Sequence, residues 1–185
     1  MKAELVKVEG EKTIYTHAYL HSAANWALEQ ATKSEEGSFY NCMCSIIMTA
    51  FCIEAYLNYI GMNYIDDWDE KAPPLEKLKV ITEEVGIEVD YGRRPFQSVK
   101  IANKFRNQMA HGKTAKLSDS YIRKLRAKSK YERLSTWWER QCTVDRAQQL
   151  FDDLEKVMEL IAESYNLDIP HFGLLSLETH HTKPK

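Results

Sequence analysis

The sequence lacks most of the features that announce an activity. It has no run of roughly eighteen or more apolar residues, so no segment reads as a membrane span, and Met1-Lys2-Ala3-Glu4 opens no secretory signal. Phosphate-cradling glycine loops, serine-nucleophile motifs, internal repeats and low-complexity blocks are absent. These absences predict a cytoplasmic protein with no membrane association. Cysteine is sparse and badly placed for cross-linking: Cys42, Cys44 and Cys52 share one hydrophobic stretch and Cys142 stands alone, which suits neither a disulfide framework nor zinc. They read as small core residues in a reducing compartment. His17 and His21 share a helix face as metal ligands would, but have no acidic or cysteine neighbour, so neither metal nor cofactor is expected. A net charge of −2 argues against indiscriminate binding of polyanions.

What remains is a chain of 185 residues, 44% hydrophobic and 28% charged, the composition of one globular domain with a real core. Its periodicity predicts an all-α protein, an up-and-down helical bundle of four long helices plus one or two short ones. Residues 1–12 read as an arm or short strand, 13–167 as the bundle and 168–185 as a tail. A first helix spans Thr13 to Lys33, with Thr13 as cap and a stripe of Tyr15, Tyr19, Ser22 and Trp26 with Ile14, Ala18, Leu28 and Ala31 beside it. Phe39 to Ile60 is apolar almost all round and belongs at the centre. Leu75 to Val85 forms a short amphipathic helix stopped by Gly86. Arg93 and Arg94 read as surface charge before a helix that opens at Pro95, and Thr143 to Tyr165 carries a continuous apolar stripe.

Two polar residues interrupt the central helix, Glu54 and Asn58, and one interrupts the helix after Pro95. At about 100° per residue, that later helix sets Val99, Ile101, Ala102, Phe105 and Met109 on one arc, with Lys100, Asn103, Lys104, Asn107 and Gln108 opposite. Arg106 falls inside the apolar arc. A guanidinium keeps its charge, so its burial demands an acceptor, and a buried carboxylate makes the same demand. Glu54 is therefore expected to pair with Arg106, with Asn58 beside them.

His111 ends the helix, and Gly112 is suited to the left-handed position just past it. A permanent cation, an amide and a titratable imidazole within six residues suit chemistry on a phosphodiester. Composition shifts immediately afterwards. Between Lys113 and Arg140 nine basic residues face three acidic ones, a local net of +6 in a chain of net −2. Lys113, Lys116, Arg123, Lys124 and Arg126 are candidate phosphate contacts, with Tyr121, Tyr131, Trp137 and Trp138 as candidate base-stacking residues; a helix capped by Ser118 or Asp119 is expected to run to about Lys130. A solvated helix over packed aromatics accounts for the same residues.

Arg106-Asn107-x-x-x-His111 at the end of a long helix in an all-helical chain resembles the signature of the HEPN superfamily, and Glu54-Ala55-Tyr56-Leu57-Asn58 is loosely similar to small prokaryotic members. The resemblance covers about Tyr15 to Tyr165. It implies a metal-independent endoribonuclease, often a toxin or defence component. It also implies a homodimer sharing its cleft, and a nucleotidyltransferase-type or antitoxin protein as possible partner. Arg106, Asn107 and His111 would be catalytic, Glu54 and Asn58 supporting. The alternative from another class is a non-catalytic helical module that uses the same residues for dimer packing or for binding nucleotide or RNA.

Overall fold

The computed structural model describes residues 7–118, 134–167 and 176–183. In it the chain is an all-α bundle with one two-stranded ribbon. A strand β1 (Lys7–Ile14) leads to α1 (Thr16–Lys33), α2 (Ser38–Tyr64), α3 (Pro74–Glu84) and α4 (Phe96–Ala110); a single 3-10 turn at Glu139–Gln141 precedes α5 (Val144–Ser164), and β2 (Ser176–Lys183) closes the order. The expected four long helices and the short one are present. The helix expected from Ser118 to about Lys130 lies outside the described residues.

α2 is the axis, in contact with α1, α3, α4 and α5. By length and composition it is long and apolar enough to cross a membrane, but half of its most apolar window is buried against its neighbours. One core cluster joins Ile53, Leu57 and Ile60 of α2 to Leu78 and Ile81 of α3, Phe96 and Val99 of α4, and Leu154, Val157, Met158 and Ile161 of α5. A second joins Leu28 and Ala31 of α1 to Cys42 and Ile46 of α2, Phe105 of α4, and Leu150 and Phe151 of α5. Each buried Val, Leu, Ile, Phe or Met among them contributes about 1.5–3 kcal/mol by leaving water. α5 follows its apolar stripe, and Thr143 caps it, its hydroxyl accepting from the Arg146 amide.

Several expectations need correction. Thr13 is a strand residue, and α1 starts at Thr16 without a side-chain cap. The buried face of α1 is Ala24, Leu28 and Ala31, whereas Tyr19 and Trp26 are exposed. Both stripes repeat at three and four; the smaller residues win because they let α1 lie close against α2. Residues 176–183 of the tail pair antiparallel with β1, Lys7 opposite Lys183 and Ile14 opposite Ser176. Cys44 is exposed, while Cys42, Cys52 and Cys142 are buried. Burial pushes the thiols of Cys52 and Cys142 up to about 12, so both are inert thiols at neutral pH. Arg94 is no idle surface charge either: its Nε donates to Oδ2 of the buried Asp153 at 2.7 Å, the Ser98 hydroxyl donates to the same oxygen, and together they pin the start of α4 to α5.

Candidate functional site

α4 positions the site because its two faces meet different surroundings. Phe105 is fully buried and fixes the rotation of the helix. Arg106, one residue on, points toward α2 and is half-buried, with its guanidinium 5.7 Å from the Phe51 ring. There its Nη2 donates to Oε2 of Glu54, which is the pairing expected from two charges set in apolar surfaces. Asn58 does not join them. It lines a separate cavity with Tyr15, His17 and Tyr59, and its Oδ1 is buried without a hydrogen-bond partner.

The third member of this cluster was not singled out from the sequence. Lys77 of α3 is 1% exposed, and its Nζ lies 3.8 Å from Oε1 of Glu54. Its signal is positional: it falls among Pro74, Leu78 and Ile81 on the buried face of a short helix. A lysine there needs an anion within reach.

The opposite face of α4 borders a groove of about 710 Å³. Lys100, Asn103, Lys104, Asn107, Gln108 and His111 line it from α4, Lys113 from the following segment, and Trp137 and Trp138 from across the fold. Among the described residues no carboxylate lines it, and Lys100, Lys104 and Lys113 have no ion pair. Lys104 instead places its Nζ 4.2 Å from the centre of the Trp137 ring, a cation–π contact. Asn107 joins the two faces: it lines the groove, and its Oδ1 accepts from Nη1 of Arg106 at 2.9 Å.

His111 closes α4, its amide donating to the Asn107 carbonyl at 3.0 Å, and its exposed side chain borders the groove. Gly112 is not in the left-handed conformation that was expected of it. Close approach requires it: a Cβ at this position would sit 2.8 Å from the Gln108 carbonyl oxygen. Of the candidate phosphate contacts, Lys113 lines the groove and Lys116 is exposed without lining it, while Arg123, Lys124 and Arg126 lie outside the described residues. Lys100, Asn103, Lys104 and Gln108 are additions, read from the sequence only as a solvent face. Among the described residues no group of three or more His, Cys, Asp or Glu side chains is placed to hold a metal; His21 bonds Glu155 at 2.8 Å, and His17 packs against Tyr56 and Tyr59.

Fold and groove together define a helical-bundle protein with a cationic, aromatic-flanked groove along one core helix. No family model, no curated protein and no solved structure matches the chain.

Proposed function

We propose that this protein is a metal-independent endoribonuclease of HEPN type, working in a reducing, cytoplasmic compartment and acting on single-stranded RNA laid along the α4 groove. The observation that carries the reading is the convergence of His111, Asn107 and three lysines without carboxylate partners on one groove, which Arg106 touches through Asn107. Lysines along the groove would hold phosphates and the two tryptophans would stack bases.

The chemistry that suits these groups is attack of a 2′-hydroxyl on its own 3′-phosphorus, forming a cyclic phosphate and releasing the 5′-oxygen of the next nucleotide. An imidazole takes the hydroxyl proton, a second acid protonates the leaving oxygen, and a guanidinium offsets the charge that develops on phosphorus. Each chain brings one such imidazole, so a two-fold dimer with facing motifs would supply both. The exposed Phe51 beside Arg106, with Tyr40 and Met62 also exposed on α2, gives a second copy an apolar surface to cover. A role as toxin or defence component, held by an antitoxin or nucleotidyltransferase-type partner, belongs to the same reading.

One observation favours a second reading, a non-catalytic RNA-binding module. Arg106 is engaged inside the protein by Glu54 and Asn107 rather than presented to a ligand. Cleavage of RNA in excess EDTA separates the two. The nuclease reading expects cleavage that falls by about 10²–10⁴ in His111→Ala with its melting temperature unchanged. Binding without cleavage by the parent would leave only the module.

A further inference from the structure

Glu54 is shared between two cations. One carboxylate oxygen receives Arg106, the other faces Lys77, and the cluster is left with one positive charge more than it can match. Lys77 is among the largest fully buried side chains of the described residues. Stability alone does not account for it, because an apolar side chain of similar size at position 77 would leave Glu54 and Arg106 as a matched pair.

The sharing has a geometric result. A carboxylate facing an arginine alone commonly takes two parallel N–H bonds. Here only Nη2 is received by Glu54, and Nε is buried with no hydrogen-bond partner. Nη1 points the other way, to Asn107 at the wall of the groove. Arg106 is thus held incompletely on its inner side and already linked to the groove on its outer side.

We propose that Lys77 is a positioning residue that keeps Glu54 from closing on Arg106, so that Arg106 turns out to a phosphate group in the groove while Lys77 retains the carboxylate. Turning out gives the orphaned Nε an oxygen to donate to, and it leaves Glu54 and Lys77 matched one to one, so no unpaired charge stays behind. The inference deepens the ribonuclease reading and rests on it for the carrier of the phosphate; the exchange itself is a property of the cluster.

The test is modification of Arg106 by phenylglyoxal in the full chain, followed by peptide mass spectrometry, with and without inorganic phosphate. In the parent, phosphate should protect Arg106. In Lys77→Met, Glu54 closes on the guanidinium, so Arg106 should react several-fold more slowly, phosphate should protect it less, and melting should occur no lower than in the parent. Lys77→Arg should restore both rate and protection, and Lys77→Gln makes the same comparison if the Met variant does not fold. A rate and a protection unchanged in the uncharged variant would overturn the proposal, as would faster modification. If Arg106 responds as described while RNA stays intact in EDTA, the exchange stands and the nuclease reading falls.

Discussion

α4 carries an arginine–carboxylate contact at each end, and the two are built in opposite senses. At its start, Asp153 is the buried partner, with its side chain 8% exposed against 55% for Arg94, and Ser98 adds a second donor to the same oxygen. The hydrogen bond and charge of Asp153 push the Arg94 guanidinium further above its ordinary value. Near its end the burial is reversed: Lys77 is the most buried member at 1%, Arg106 follows at 20%, and Glu54 is the most exposed at 26%. One carboxylate with one cation and a hydroxyl makes a matched clamp. One carboxylate between two cations leaves a charge to spare, beside a groove that no carboxylate of the described residues lines. A matched pair holds helices together, and an unmatched one marks where an anion is wanted.

The largest effect should come from breaking the unmatched contact. Glu54→Gln leaves two largely buried cations without an anion; removing one partner of a buried pair costs on the order of 3–5 kcal/mol, and the partial exposure of Glu54 places this case near 3. Calorimetry should then find the melting temperature lower by roughly 6–12 °C. A shift of a degree or two would mean that the cluster contributes nothing to the fold.

The clamp should be softer to a single change. Ser98→Ala removes one charge-assisted hydrogen bond while Arg94 stays on Asp153, a loss of about 1.5 kcal/mol, visible as an earlier midpoint in urea. RNA affinity should not move. If it does, the start of α4 belongs to the site and the distinction between the two ends fails.

The smallest effect sharpens the comparison through the thiols. At pH 8 the folded parent should take one equivalent of a thiol reagent, at exposed Cys44, because Cys42, Cys52 and Cys142 are buried, and burial holds Cys52 and Cys142 at about 12. Mass spectrometry of Glu54→Gln should show the same single adduct. Labelling at Cys52, two residues from the substituted site, would mean that the cluster also keeps the centre of α2 closed.

How much of this was legible in the sequence follows from which rules are local. The stripe of α5 and the arc of α4 were readable because each repeats within one helix, and the Glu54–Arg106 contact was readable because each residue breaks an apolar surface that tolerates no lone charge. Lys77 was hidden by its own type, since a lysine in a short amphipathic helix reads as surface. The polar arc of α4 became a groove only when Trp137 and Trp138 came to lie across it, which no spacing within α4 encodes. In α1 both faces carried the right period, and side-chain size favoured the wrong one. Gly112 was recognised as necessary, but for its backbone angle rather than for the carbonyl it approaches.

The ribbon of β1 and β2 pairs the first described residues of the chain with the last, and this sets an order of events during folding. Contacts between successive helices such as α1 and α2 close short loops, whereas pairing Lys7 with Lys183 closes nearly the whole chain, and closure entropy grows by about 0.6 kcal/mol with each doubling of the loop. Two strands alone are marginal in water. Loop closure therefore predicts a ribbon that pairs only after the helices have assembled.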